Sequence, residues 1–125
     1  MGESNKNKNI VLHLVEEFNR HNLPVLEEMY RNCVYHSSIA GELKGEAHRQ
    51  FLSHLLAAFP DGRWTIDDQI AEGDEVVTRW SFSGTAPTGK KVAITGIVID
   101  RIVDGRIVDE WEETSSLFFP ITLSR

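Results

Sequence analysis

The sequence predicts an α+β domain in which three N-terminal helices cover the concave face of a cone-shaped, curved antiparallel sheet. Apolar residues recur at helical spacing in the first part of the chain, and long runs rich in β-branched residues fill the rest. Two turns between these runs pair glycine with aspartate, at Gly73-Asp74 and Asp104-Gly105, which is typical of tight hairpins. Helices followed by hairpins favour a layer of helices packed on one face of a sheet.

The helices follow from the apolar periodicity. A first helix running to about Arg20 is predicted by a stripe with helical spacing, made of Ile10, Val11, Leu14, Val15 and Phe18. Pro24 suits the first turn of a second, short helix, which packs through Val25, Leu26, Met29 and Tyr30. A third helix follows Gly45 and ends before Pro60. Residues 1–8 are expected to be a disordered tail of a single domain spanning residues 1–125.

Four long strands and one short extended piece are expected. Ranges 63–71 and 75–83 flank Gly73-Asp74, where glycine suits the first central position of a type II′ turn. Ranges 91–103 and 106–119 flank Asp104-Gly105. A short extended segment is predicted around residues 33–37. A cavity between sheet and helices is where such a fold would hold a small molecule.

Composition and charge exclude several classes of function. The chain has 125 residues, 41% of them hydrophobic, which is the composition of one globular domain. Its net charge of -6 argues against a nucleic-acid or anionic-membrane surface. No apolar run has membrane-spanning length and the first residues lack a hydrophobic signal core, so a cytoplasmic location is expected. Cys33 is the only cysteine, which excludes an internal disulfide and predicts a small buried hydrophobe.

The histidines do not predict a metal site. His48 and His54 lie about 240° apart around the third helix, so they cannot converge on one ion. His13 and His21 have no acidic residue that obviously converges with them. All four are expected to be solvated surface residues. No phosphate-binding glycine loop, serine nucleophile motif or Cys-His pair is present, so no cofactor or metal is expected.

A cluster of acids on the last strand is the strongest candidate for chemistry. Asp109, Glu110, Glu112 and Glu113 surround Trp111, and strict alternation places Glu110 and Glu112 on the face opposite Trp111. One interpretation is a solvated outer face studded with acids. The other is an inward face on which burial raises a carboxyl pKa towards neutrality and makes it a general base.

An ordered set of segments resembles a known family. The segments are VEEFNRHNL, VYHSS, AAFPDGRWTI, IAEGDEVVTRWSFSGT, PTGKKVAITGIVIDRI and DGRIVDEW. Together, from about residue 10 to 117, they resemble the SnoaL-like polyketide cyclase and ester cyclase family of the nuclear-transport-factor-like, cystatin-like superfamily. The resemblance implies a cofactor-free α+β cone. It also implies closure of a polyketide ring by intramolecular aldol addition, with a strand aspartate as the base.

The resemblance also implies which residues form the site. The family's catalytic acid falls on Glu112, one methylene longer than aspartate, and a polar residue after helix two falls on His36, which could donate to an oxygen. Two further polar positions fall on Gly96 and Val98, whose side chains cannot form hydrogen bonds. The loop after Gly84-Thr85 is shorter here than in the family.

The turn leaves the register of the last hairpin open. A two-residue turn at Asp104-Gly105 pairs Val98 with Trp111, whereas a three-residue loop with a glycine bulge pairs Val98 with Glu112. One residue of slip exchanges the two faces of the strand. Because the resemblance places Val98 and Glu112 in one pocket, the bulged register is favoured, with Asp109 and Trp111 facing outward.

Five further residues are candidates for the pocket. Trp64, Trp80 and Phe82 either stack on a flat ligand or form plain core. Arg79 either anchors an anionic substrate or pairs with Asp109 or Glu113. Tyr35 offers an acidic hydroxyl, although strand alternation places its side chain on the face opposite to that of His36.

The expected function is acid–base chemistry on a small apolar carbonyl compound, with Glu112 as base and His36 polarising an oxygen. The enzyme is favoured over two alternatives, a binding protein without chemistry and a module that dimerises. A homodimer formed through the sheet is expected in either case.

Overall fold

The computed structural model describes residues 2–115 and confirms the predicted α+β fold. Its helices are α1 (Gly2–Asn19), α2 (Leu23–Met29) and α3 (Gly45–Ala58). The strands are β1 (Val34–Ser37), β2 (Gly41–Leu43), β3 (Arg63–Glu72), β4 (Glu75–Thr85), β5 (Lys91–Val103) and β6 (Arg106–Thr114). They form one six-stranded sheet in the order β2-β1-β6-β5-β4-β3. Helix α1 packs across β3 and β4.

The sheet is mixed, and not purely antiparallel as predicted. Strand β1 pairs in parallel with β6, with Tyr35 beside Glu110 and Ser37 beside Glu112. Strand β2, which the sequence did not predict, pairs antiparallel with β1. This arrangement brings two segments more than 70 positions apart in the chain side by side. Such a pairing depends on tertiary packing, which local patterns do not encode.

Both predicted hairpins form with two-residue turns. Glu72 pairs with Glu75 around Gly73, whose φ of 61° is the positive value that the type II′ turn requires at this position. Val103 pairs with Arg106 around Asp104 and Gly105, which have φ values of 53° and 78°. Two consecutive positive φ angles identify a type I′ turn, which matches the twist of the flanking strands.

The register of the last hairpin is the favoured one, but its origin differs from the prediction. Val98 pairs with Glu112, as expected for the bulged register. The turn itself has two residues, and the pairing shifts between Arg101 and Ile102, leaving Val108 as the extra residue of β6. The β-bulge therefore lies in the strand, where it turns Glu110 and Glu112 towards the concave face.

The N-terminal residues differ from the prediction. Residues 2–8 belong to α1 where a disordered tail was expected. Asn7 is only 2% exposed and its Nδ2 donates to the Gly73 carbonyl oxygen over 3.5 Å, so the N-terminal part of α1 packs on the β3–β4 hairpin. Farther along α1, Asn19 exchanges two hydrogen bonds with the Trp64 backbone, of 2.7 and 2.9 Å. These contacts hold α1 across the concave face.

The remaining expectations concern single residues and the end of the chain. Cys33 is fully buried, as predicted, and burial raises the pKa of its thiol. Strand β6 ends at Thr114, and the predicted continuation over 116–119 lies outside the described residues. None of the helices in the described part of the chain is long and apolar enough to cross a membrane.

Candidate functional site

A cavity lies between the concave face of the sheet and the helices. It consists of an inner chamber of about 80 Å³ and an outer chamber of about 220 Å³. The two adjoin, since they share as walls Tyr35, Phe51, Leu55, Trp64, Trp80 and Glu112. Most lining side chains are aliphatic or aromatic, which is typical of small-molecule sites with a few placed polar groups.

Glu112 is the carboxyl group shared by both chambers. It lies on β6 beside Val98, and the Tyr35 hydroxyl donates a hydrogen bond to its Oε1. Burial and, to a smaller extent, the charge of Glu110 raise the pKa of Glu112 to about 7, although the hydrogen bond from Tyr35 opposes the rise. Near neutral pH this carboxyl group is divided between its two protonation states, as a general base requires.

Two more carboxyl groups lie behind Glu112 in the inner chamber. Asp100 and Glu110 are cross-strand partners on β5 and β6 and are 0% and 5% exposed. The Tyr30 hydroxyl donates to Glu110 Oε2 over 3.2 Å. Burial raises the pKa of Glu110, and the neighbouring charge of Asp100 raises it further. Burial also raises the pKa of Asp100. Two close buried carboxyls do not both ionise readily, so the pair retains a proton near neutral pH.

The His48 ring contacts both tyrosines whose hydroxyls donate hydrogen bonds to Glu110 and Glu112. Its ring lies 5.0 Å from the Tyr35 ring in a parallel stack and 4.8 Å from the Tyr30 ring. Burial lowers the pKa of His48 to about 4, so the ring is neutral near pH 7. Burial raises the pKa of Tyr30 and Tyr35, which keeps both hydroxyls as donors. The aromatic stack thus fixes two tyrosine–glutamate hydrogen bonds side by side.

The prediction that His48 is a surface residue was wrong. It is 3% exposed because it lies on the buried face of α3 together with Leu52, one turn along the helix. His54 and His13 are exposed, as predicted. No group of three or more histidine, cysteine, aspartate or glutamate side chains within residues 2–115 has the geometry to hold a metal ion.

Most of the predicted pocket residues line the cavity, namely Tyr35, Trp64, Trp80, Phe82, Val98 and Glu112. Gly96 lies beneath Trp80 instead of in the open wall. A Cβ atom added to Gly96 would lie 2.3 Å from Cζ2 of the Trp80 indole. Glycine at this position therefore lets the indole lie against the β5 backbone.

His36 faces away from the cavity, so the expectation that it shares a pocket with Glu112 was wrong. Its ring stacks on Trp111 at 5.0 Å, and its Nε2 lies 3.4 Å from Asp109 Oδ1, on the outer face of the sheet. Strand β1 alternates, so Tyr35 faces inward where His36 faces outward. The polar group beside Glu112 is therefore the Tyr35 hydroxyl.

Arg79 also lies on the outer face, not in the pocket. It is exposed and adjacent in β4 to the inward Trp80. Arg79 has no ion pair with Asp109, Glu113 or any other acid within residues 2–115; Asp109 pairs with Arg101 instead, Nη2 to Oδ2, over 2.7 Å. Neither role weighed for Arg79 is therefore supported by its position.

A comparison with models of protein families identifies the family of this chain. The family model for SnoaL-like polyketide cyclases matches residues 9–116. The chain belongs to this family. No protein of curated function matches the SnoaL-like chain.

Solved structures share the complete fold with this SnoaL-like protein. The proposed polyketide cyclase IdmH from Streptomyces antibioticus is 26% identical, with 95% of this chain and 99% of that chain covered and a TM-score of 0.78. A proposed polyketide cyclase from Acidithiobacillus ferrooxidans is 25% identical over 95% and 94% of the two chains, with a TM-score of 0.79. AclR, a proposed hydroxylase from Streptomyces galilaeus, is 24% identical over 97% of each chain, with a TM-score of 0.85.

Four buried polar residues of this SnoaL-like site were not predicted from the sequence as part of the pocket, namely Tyr30, His48, Asp100 and Glu110. A signal was present for the two acids. Asp100 follows Val98 by two positions and Glu110 precedes Glu112 by two, so strand alternation places all four on one face. An aspartate at an inward position of the apolar run IVIDRIV marks a buried titratable group.

Proposed function

We propose that this SnoaL-like protein catalyses cofactor-free acid–base chemistry on a small, largely apolar carbonyl compound held in the cavity. The observation that carries the proposal is the position of Glu112, a carboxyl group with a pKa of about 7 in the wall of an apolar cavity. Aldol-type cyclisation is preferred over isomerisation or hydrolysis, because the family and two structural neighbours are described as polyketide cyclases.

The reaction begins with proton transfer to Glu112. Its carboxylate accepts a proton from the carbon next to a substrate carbonyl, and the C–H electron pair forms the enolate while the negative charge moves to the oxygen. The enolate carbon then attacks a second carbonyl of the same molecule, and the resulting alkoxide takes the proton back from Glu112. The proton is conserved over the cycle, so the ring closes without an external oxidant or reductant.

Tyr35 assists by holding the Glu112 carboxyl in place. Its hydroxyl donates to Oε1, which leaves Oε2 of Glu112 to accept the substrate proton. The hydrogen bond favours the ionised form and limits how far burial raises the pKa of Glu112. We assign Tyr35 the role of positioning Glu112, whereas the sequence analysis expected His36 to polarise a substrate oxygen.

The proposal is tested by hydrogen–deuterium exchange at the carbon next to a carbonyl. 1-Tetralone, a β-keto ester and a cyclic 1,3-diketone are incubated with the protein in D₂O, and loss of the α-proton signal is followed by NMR. We expect the Glu112→Gln variant to lose about 100-fold or more of the exchange rate. Glu113→Gln is the matched control, because this adjacent acid lies on the outer face and should leave the rate unchanged.

The pH dependence provides a second arm of the same experiment. Because the base must be ionised, the rate should increase with pH and reach half its maximum near the Glu112 pKa of about 7. Full activity in the Glu112→Gln variant would remove Glu112 from the mechanism. No acceleration by the wild-type protein with any of the three compounds would refute this enolisation chemistry.

The second candidate is a binding protein without chemistry. It is favoured by Gly96 and Val98, which bring no polar side chain to the β5 wall of the cavity. This alternative predicts saturable binding of apolar compounds that Glu112→Gln leaves unchanged, with no exchange at any pH.

We also propose that the protein forms a homodimer through the outer face of the sheet. Three large apolar side chains on this face are exposed, Ile70 at 65%, Ile97 at 49% and Trp111 at 37%. Sedimentation is the test. A monomer throughout the micromolar range would contradict the proposal, and a dimer that Ile97→Lys dissociates would support it.

A further inference from the structure

One row of residues crosses the sheet next to Glu112. Trp80 on β4 pairs with Gly96 on β5, and Gly96 pairs with Thr114 on β6. The adjacent row on the same face contains Val98 and Glu112. Successive inward positions are about 7 Å apart along a strand. The Trp80 row therefore lies within the length of a small molecule from the Glu112 carboxyl.

The missing side chain at Gly96 determines where the Trp80 indole lies. A Cβ at Gly96 would lie 2.3 Å from Cζ2 and 2.6 Å from Cε2 of Trp80, distances that no real contact allows. Cε2 carries the indole nitrogen, so the nitrogen-bearing edge of the ring lies close to Gly96. Any other residue at Gly96 would displace this edge.

Two polar atoms in this row have no hydrogen-bond partner. Trp80 is 7% exposed, and within residues 2–115 neither its Nε1 nor the Thr114 Oγ1 has a partner, although both atoms are buried. Buried donors are almost always paired in folded proteins, and one left unpaired indicates a partner supplied from outside residues 2–115. Trp80 and Thr114 both line the outer chamber, together with Glu112.

The chemistry of these atoms defines the partner. An indole nitrogen can only donate, so its partner must be a hydrogen-bond acceptor, and a hydroxyl can donate to the same atom. We propose that Trp80 Nε1–H, assisted by the Thr114 hydroxyl, holds the carbonyl oxygen of the ligand. This inference rests on the proposed function, because that oxygen is the atom on which negative charge develops when Glu112 removes the α-proton.

The assignment also explains the two apolar positions on β5. The resemblance placed polar groups at Gly96 and Val98, where this chain has none. Here the donor comes from β4 instead, and Gly96 is the residue that lets it reach across. The polar function is therefore kept within the cavity, while the strand that supplies it has changed.

The test uses a ligand pair that differs in the carbonyl group, 1-tetralone and its parent hydrocarbon tetralin. In the wild-type protein the ¹⁵N–¹H spectrum contains one indole signal for each of Trp64, Trp80 and Trp111. The Trp80 signal is identified by its loss in Trp80→Phe. We expect 1-tetralone to move that proton signal downfield and tetralin to leave it nearly unmoved. Trp111, on the outer face, should not respond.

Affinities measured in the same titrations give the second readout. Trp80→Phe keeps an aromatic ring but removes the donor, so it should weaken 1-tetralone binding by about tenfold and leave tetralin binding unchanged. Thr114→Val should weaken 1-tetralone binding by a smaller factor. Trp111→Phe is the matched control and should change neither affinity. If Trp80→Phe does not fold, Trp64→Phe and Trp111→Phe assign the Trp80 signal by elimination, and the wild-type titration decides.

Three outcomes would overturn the inference. They are an unmoved Trp80 signal in saturating 1-tetralone, an unchanged preference for 1-tetralone over tetralin in Trp80→Phe, and no saturable binding of 1-tetralone. The outcome of these ligand titrations does not depend on the outcome of the hydrogen–deuterium exchange experiment. A ketone held by Trp80 without exchange would leave this inference standing and refute the proposed chemistry, and exchange without a Trp80 effect would do the reverse.

Discussion

Asp109 and Glu110 are neighbours in the chain, but their environments are opposite. Asp109 is on the outer face of β6, where the Arg101 guanidinium donates to its Oδ2 over 2.7 and 3.2 Å and lowers the pKa of the carboxyl. Glu110 is on the inner face, where burial raises its pKa and the nearest carboxyl, Asp100, raises it further. The strand's alternation alone separates an ion-paired carboxylate from a buried carboxyl group with a raised pKa.

The contrast shows that a cluster of acids in a sequence has no single meaning. On the outer face, Asp109 has a cationic partner and partial access to water, which is the usual condition of a strand carboxylate. On the inner face, Glu112 receives a neutral tyrosine hydroxyl and apolar neighbours, which stabilise its charge much less. The same residue type becomes a candidate base only on the second face.

The largest expected effect is on the free energy of unfolding when one carboxyl group is removed from each face of β6. At pH 8, Glu110→Gln should stabilise the fold by roughly 1–3 kcal/mol, because a carboxyl whose pKa is raised on folding opposes folding above its unfolded pKa. Asp109→Asn should destabilise it by roughly 0.5–1 kcal/mol. Urea unfolding at pH 8 measures both variants. Two changes of the same sign would contradict the account.

The pH dependence of these two effects is also opposite. The stabilising effect of Glu110→Gln should disappear as the pH is lowered to about 4, where the unfolded chain is also protonated at this position. Asp109 has a lowered folded pKa, so its contribution is present above its unfolded pKa and is lost as the pH falls through the folded value. Unfolding curves at pH 4 and pH 8 distinguish the two faces without any assumption about activity.

A smaller effect is expected from the adjacent pair on β1. Tyr35→Phe removes the hydrogen bond to Glu112, so exchange should slow by about tenfold and its midpoint should move to higher pH. His36→Phe preserves the stack on Trp111 and should leave both quantities unchanged. Rate–pH profiles of the two variants are the measurement. An unchanged midpoint in Tyr35→Phe would show that this hydroxyl does not tune Glu112.

The smallest expected effect concerns salt. Arg101 is 39% exposed, so its pair with Asp109 is partly screened. Arg101→Gln should lower the free energy of unfolding slightly at low ionic strength, and this loss should nearly vanish in 1 M NaCl. The stability gain from Glu110→Gln should persist in high salt, because Glu110 is buried. Urea unfolding at the two salt concentrations compares the two variants.

The helices, the four long strands and both hairpins could be predicted because periodicity and turn residues are local signals. The inward position of Glu112 could be predicted only through the resemblance, since the bulge at Val108 has no distinct sequence signature. The parallel pairing of β1 with β6 had no local signal at all. The resemblance placed His36 in the pocket, whereas the alternation of β1, paired with β6, puts Tyr35 there.

The buried residues behind Glu112 show a second limit. Asp100 and His48 belong to residue types that are usually exposed, so each was passed over or assigned to the surface. Both positions nevertheless follow the apolar period of their own element, Asp100 with Val98 and His48 with Leu52. A polar residue on the buried period of a strand or helix is therefore a better sign of a site than a cluster of charges.

The most direct test of the central claim, that the inner face of β6 makes Glu112 a base, is a carboxyl titration by NMR. Protein labelled with ¹³C at the glutamate side-chain carboxyl is titrated from pH 3 to pH 9, and Glu112→Gln assigns the signal. The account predicts that Glu112 titrates with a pKa of about 7, well above the ordinary glutamate value of about 4.3. A Glu112 signal that titrates near the ordinary glutamate value of about 4.3 would contradict the account.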